Sequence, residues 1–238
     1  MKWGFNVTHS PQSTRNGSLN EIIVCDRLVE QTITFIWDSL LSWRNDPDRQ
    51  YANPEEELNG QLADYLNDCA YEKPYKIKFR HEERQGERRR VDIAAKPTGS
   101  VYIRGKYFSR YDAFLLIEGK LLPAPSKDRE REYVTGESGK NTGGIQRFKL
   151  GAHGKTHDVA VIVGYVQKET PQFWHPVVNK WIVELVNELP GAWKKEETLS
   201  DVQQCSTNQR LWLKSTHPRV SGCKSSTIQL HHFWIQMS

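Results

Sequence analysis

The sequence predicts an α/β fold, a mixed central β-sheet flanked by helices. Three observations lead there. Apolar residues recur at helical spacing over 19–43, 58–69 and 176–188, the mark of helices with one buried face. Between them lie short alternating or continuous runs of β-branched and aromatic residues, as strands need when one or both faces are covered. The chain has 238 residues, 37% of them hydrophobic and 26% charged, which suits a sizeable core and a soluble surface and excludes a disordered polymer.

Residues 1–20 are polar and rich in Ser, Asn and Thr. They lack the apolar core of a secretory signal, so a cytoplasmic location is expected. No run approaches the roughly 20 apolar residues of a membrane span, and no membrane partner is expected. Over 19–43 the positions Ile22, Ile23, Leu28, Ile33, Ile36, Trp37, Leu40 and Leu41 predict a long helix, with Thr32 and Thr34 marking where it would break and Pro47 ending it. A second helix is expected from Asn53. Asn53 serves as N-cap, Pro54 takes the first helical position, and Glu55, Glu56 and Glu57 meet the positive end of the helix dipole. Its buried stripe is Leu58, Leu62, Tyr65, Leu66 and Cys69.

Strands are expected over 75–80, 90–95 and 111–122, with 101–107 as a further strand or hairpin arm. The polar, glycine-rich stretch 126–144 reads as a mobile loop. A short helix over 145–150, an apolar strand over 159–167 and an amphipathic helix over 176–188 follow. Segments 211–214 and 228–235 are expected to pair as antiparallel strands. These elements divide into an N-terminal helical extension (1–49), a core (50–190) and a C-terminal extension (191–238) that either belongs to the same domain or carries a separate role.

Four cysteines, Cys25, Cys69, Cys205 and Cys223, lie far apart with no CxxC pairing. Cys25 and Cys69 fall on apolar helical stripes, so buried thiols are expected rather than a disulfide or metal framework. Trp37, Trp43, Trp181 and Trp234 are expected in the core. His153, His157, His231 and His232 show no zinc spacing, and no phosphate-cradling glycine motif or nucleophile elbow appears. The net charge of +4 is mild, but basic residues gather over 84–106 and 127–155 while 53–68 is acidic. Basic segments beside carboxylates suit an anionic substrate; they equally suit solvated loops.

The strongest chemical signal is Ile117-Glu118-Gly119-Lys120 at the end of an apolar strand, with Val91-Asp92-Ile93 on an earlier one. Glu118 and Lys120 alternate and so share a strand face. Ending an apolar strand with both is costly unless something pairs with them. Taken alone, Glu-x-Lys also describes an ordinary salt bridge at a strand exit. The succession adds more: a helix with an acidic start, a strand, a strand with Asp92, a strand with Glu118 and Lys120, a helix and a strand.

That order (αβββαβ) over 53–167 resembles the core of the PD-(D/E)XK nuclease superfamily, the restriction-endonuclease-like proteins, which includes type II restriction enzymes and archaeal Holliday-junction resolvases. One departure is that Val91, not Pro, precedes Asp92. The resemblance implies that Asp92, Glu118 and the carbonyl of Gly119 bind Mg²⁺, with Mn²⁺ as a substitute. It implies that Lys120 orients or deprotonates the attacking water, its pKa lowered by the metal.

A glutamate on the first core helix often completes such clusters. Glu55 shares the inward face of Leu58 and Leu62, Glu57 aligns with the wet positions Gln61, Asp64 and Asp68, and Glu56 falls between. Glu55 is therefore the expected fourth carboxylate, although all three also suit the helix dipole. Gln146 stands where some members carry a glutamine near water and metal, and Gly143 and Gly144 would let backbone approach a phosphate. Arg88, Arg89, Arg90, Arg147 and Lys149 are candidate phosphate contacts. The activity implied is endonucleolytic cleavage of DNA in restriction or phage defence, with a homodimer expected from the two strands to be cut. The alternatives are an RNA or repair nuclease with the same site, and a non-catalytic nucleic-acid-binding or assembly subunit with the same fold.

Overall fold

A computed structural model describes residues 23–51, 54–73, 76–85, 89–137, 140–202 and 207–237. In chain order the elements are β1 (Ile23–Val24), α1 (Leu28–Arg44), α2 (Glu55–Tyr71), β2 (Ile77–Arg84), β3 (Arg90–Pro97), β4 (Val101–Ile103), β5 (Lys106–Phe108), β6 (Leu115–Leu122), α3 (Gly144–Lys149), β7 (Val159–Val166), α4 (Pro171–Glu188), β8 (Ser200–Asp201), β9 (Arg210–Pro218) and β10 (Thr227–Gln236). Seven strands form one mixed sheet in the order β2-β3-β6-β7-β10-β9-β8. The β2–β3–β6 and β10–β9–β8 portions are antiparallel, while β7 runs parallel to β6 on one side and β10 on the other. Every residue of β6 is buried, because helices cover both faces of the sheet at its centre. The expected α/β class and mixed sheet are therefore what the chain adopts.

On one face Ile36, Leu40 and Trp43 of α1 and Leu58, Leu62 and Leu66 of α2 pack on Ile93, Ile117 and Phe233. On the other, Phe148 of α3 and Val178 and Ile182 of α4 pack on Leu116, Ile162 and Trp234. Segments 28–44 and 210–236 thus share their cores with the elements between them. Trp37, Trp43, Trp181 and Trp234 are all buried there.

Several local expectations change. Ile23 and Val24 do not begin the first helix; they form β1, parallel to β4, because a tertiary strand partner outweighs the helical spacing. The α1 helix is unbroken at Thr32, whose hydroxyl donates to the carbonyl of Leu28 (2.7 Å) one turn back. Cys25 lies between β1 and α1 rather than in a helix. Cys69 does lie in α2; both thiols are half-buried against the core, and Cys205 is outside the described residues. The α2 helix begins at Glu55 with Pro54 extended before it, and Asn53 and Tyr75 lie outside the described residues. The last long helix begins at Pro171 rather than Pro176, its start capped by Thr170, whose hydroxyl oxygen accepts from the Phe173 amide (3.1 Å).

Residues 126–137 are not the loose loop their composition suggests, because Tyr133 and Val134 are fully buried. The Tyr133 hydroxyl accepts from Trp234 Nε1 (2.7 Å) and bonds His232 Nδ1 (2.8 Å). From there the buried chain continues through Ser215 Oγ to His217 Nε2 (2.6 Å), and from His217 Nδ1 to Glu197 (2.7 Å). Burial holds His232 well below the usual histidine range, so it stays neutral. Replacing Tyr133 with Phe strands two buried nitrogens, each worth about 1–3 kcal/mol when unsatisfied. Tyr133→Phe should lower stability by roughly that amount in denaturant unfolding, with faster proteolysis within 126–144. Unchanged stability would show that the hydroxyl anchors nothing.

Candidate active site

The β3–β6 ladder pairs Ala95, Ala94 and Ile93 with Leu115, Leu116 and Ile117, and its register ends there. The next residues are Asp92 and Glu118. The Asp92 carboxylate takes over from the strand backbone, Oδ2 accepting from the Gly119 amide at 2.8 Å. On the other side of β3 the register steps from His81↔Ile93 to Glu83↔Val91, and Glu82 between them has a left-handed φ of 53°. The sheet therefore opens at Asp92 and leaves room for side chains at the ends of β3 and β6.

Alternation places Glu118 and Lys120 on one face of β6, as expected. The Lys120 ammonium donates to Glu55 Oε1 at 2.6 Å and lies 3.3 Å from Glu118 Oε1. The other Glu55 oxygen accepts from the Leu121 amide (3.2 Å), which fastens the first turn of α2 to the end of β6. Glu56 and Glu57 are exposed, so the inward glutamate is Glu55. One turn on, buried Asn59 accepts from the Tyr165 hydroxyl (2.7 Å) and lies against Gly119. A Cβ at residue 119 would fall 2.0 Å from Asn59 Oδ1, so only glycine lets α2 approach β6 this closely.

Glu118 is wholly buried. Its Oε1 accepts from Arg147 Nη1 at 2.6 Å, and its Oε2 faces His153 Nδ1 at 3.1 Å without the alignment of a hydrogen bond. Burial pushes its pKa up, but Lys120, His153 and Arg147 together hold it down at about 2. Asp92 goes the other way: burial, then the neighbouring charge of Glu118, push it up to about 8. Burial alone would lower Lys120, but Glu118, Glu55 and Asp92 outweigh it and raise Lys120 above its usual range. With only protein groups around it, Lys120 is held protonated; the lowering expected from a bound metal is a separate effect.

Glu55, Asp92, Glu118, Gly119, Lys120 and Arg147 are thus brought together. Gln146 is not: its Oε1 accepts from the amides of Gly136 (3.0 Å) and Gly143 (3.4 Å), holding the preceding loop against α3. Gly143 is packed against the backbone of Thr135, and Gly144 against the Tyr133 carbonyl and the Lys120 side chain. Their closeness to backbone serves the protein's own chain. Lys149 is buried on the far side, bonded to Glu197 and stacked over Trp193 (4.4 Å), so it is no phosphate contact. Arg89 and Arg90 are exposed, and Arg90 pairs with Glu82; with Arg147 and His153 they line a cleft of about 500 Å³. Arg88 lies outside the described residues. Sequence reasoning missed His153, set aside for want of zinc spacing, and Asn59, whose signal was its place one turn beyond Glu55.

As the side chains stand, no group of three His, Cys, Asp or Glu residues among those described is spaced to hold a metal ion. The Lys120 ammonium occupies the ground between Glu55 and Glu118. The donor set nevertheless fits a hard divalent cation, being made of carboxylate oxygens with a buried Glu118 Oε2 that lacks an aligned hydrogen bond. Such an ion would take the place of the proton that Asp92 holds.

Asp92 stabilises the fold while it holds that proton. The contribution is whole below the ordinary value of 3.8 and is lost as pH rises through about 8. In metal-free buffer Asp92→Asn should melt several degrees above wild type near pH 8, the gap closing below 3.8. A wild type that melts as high near pH 8 would show that the carboxyl is not strained there. Glu118 has the opposite sign, stabilising above 4.5 and losing that contribution as pH falls through about 2.

No family model matches this chain, and no curated protein or solved structure matches it either.

Proposed function

We propose that the chain is a metal-dependent nuclease of the PD-(D/E)XK type that hydrolyses phosphodiester bonds in DNA as an endonuclease. The observation that carries this reading is the meeting of Glu55, Asp92, Glu118 and Lys120 from three separate elements, where β3 parts from β6 beside an arginine-lined cleft. The order α2-β2-β3-β6-α3-β7, with the β4–β5 hairpin inserted between β3 and β6 and with β7 parallel to β6, supports a restriction-endonuclease-like core.

Asp92, Glu118, Glu55 and the Gly119 carbonyl would hold Mg²⁺, or Mn²⁺ in its place, and the bound ion would supply an acidified water and neutralise developing charge. Lys120 would orient or deprotonate the attacking water and counter the charge that develops on the phosphoryl oxygens. Arg147, Arg89 and Arg90 position the phosphate backbone; such contacts set register without reading sequence. Cutting both strands with one site per chain calls for a homodimer. Restriction or phage defence suits this activity.

Plasmid and single-stranded DNA, with an RNA arm, should be incubated with Mg²⁺ and with chelator. Wild type should cut DNA only with the metal, and Lys120→Ala and Asp92→Asn should each lose at least about 100-fold in rate. Arg147 and His153 still face Glu118 in the lysine variant, so its circular dichroism should match wild type. Equal cutting by Lys120→Ala would remove Lys120 from the mechanism. RNA cut in preference to DNA would move the substrate class.

A further inference from the structure

Protein groups crowd both oxygens of Glu118: Oε1 accepts from Arg147 (2.6 Å) and lies 3.3 Å from Lys120, and Oε2 faces His153 Nδ1 at 3.1 Å without an aligned hydrogen bond. The carboxylate is also wholly buried. A divalent ion can use it only if some of those partners let go. Arg147 and His153 are the two that also line the cleft of about 500 Å³, with Arg89, Arg90 and Asn141 and, among the described residues, no carboxylate in its wall.

The larger groove next to it, about 710 Å³, shares Asn141 and Arg147 but balances its lysines and arginines with Asp128, Glu130, Glu132, Glu137 and Glu188. A phosphate is therefore drawn to the smaller cleft. The His153 ring is held there edge-on to Phe148 (5.8 Å), and Arg219 donates to the backbone carbonyls of His157 (2.7 Å) and His153 (3.4 Å) from the β9–β10 loop. The Arg147 side chain is about a quarter exposed and can turn between Glu118 and the cleft.

Resting on the nuclease reading above, we propose that Arg147 and His153 latch Glu118 in the free protein, and that a substrate phosphate in the cleft draws them off and opens Glu118 to the metal. A phosphate offers guanidinium the same charge-assisted, two-pronged bonding that a carboxylate does, so the two compete for Arg147. Binding energies are reciprocal, so metal and nucleic acid each tighten the other. The free protein then binds metal weakly, and an ion is recruited to the carboxylates when a phosphodiester is in position.

The test follows Mn²⁺ binding to the full chain by the resonance of the free ion, with protein-free blanks to subtract ion pairing. In sulfate, used as the phosphate probe, wild type should bind Mn²⁺ roughly 5- to 150-fold more tightly than in chloride of equal ionic strength. Arg147→Gln should bind Mn²⁺ more tightly than wild type in chloride, with little further gain from sulfate. The sulfate comparison uses wild type alone, so it stands even if the variant folds poorly. Mn²⁺ binding that Glu118→Gln abolishes but sulfate leaves unchanged overturns the latch and leaves the metal site standing. No Mn²⁺ binding in any arm overturns both.

Discussion

Glu118 carries its charge in the middle of a wholly buried strand, with none of its surface exposed, and burying such a charge without partners costs several kcal/mol. Its neighbours answer that cost. Lys120 comes from the same strand two residues on, Arg147 from α3 and His153 from the loop after it. Each of those elements is held where it is partly because Glu118 needs it. Burial, and after it the charge of Glu118, raises Asp92, since a second buried carboxylate there is most easily kept by leaving it protonated. The site is thus balanced around one charge, with one carboxyl poised to exchange its proton.

The frame that keeps these groups in place extends beyond them. Gly119 lets Asn59 lie against β6, and this close approach carries Glu55, one turn earlier on α2, to Lys120 and the Leu121 amide. From the opposite end of the chain, the β9–β10 loop grips the segment bearing His153. Arg219 donates to the His157 and His153 carbonyls, the Val220 amide to Lys149 (3.3 Å) and the Lys224 amide to Lys155 (3.0 Å). The C-terminal strands therefore do more than widen the sheet; they brace one wall of the cleft.

A second buried polar chain runs from Glu197 through His217, Ser215 and His232 to Tyr133. Fully satisfied networks of this kind fix one arrangement of their members, because every alternative leaves a donor or acceptor bare in low dielectric. It pins the loop that leads into α3, and so the helix that carries Arg147. It also claims Lys149, two residues from Arg147 and on a different side of the short helix.

Local pattern settled what depends on neighbours in the chain. The α/β class, the pairing of Glu118 with Lys120 on one strand face, and the choice of Glu55 over Glu56 and Glu57 all follow from periods of two or 3.6 residues, which sequence displays directly. Tertiary packing decided the rest. Ile23 and Val24 became a strand because β4 offered them a ladder, and Tyr133 in the polar stretch before α3 was anchored by Trp234 and His232, about a hundred residues away in the chain. Lys149, Gln146 and His153 look interchangeable as polar residues around one short helix. Which of them meets Glu118, which caps a loop and which is buried against Glu197 depends on partners that only the folded chain brings within hydrogen-bonding distance.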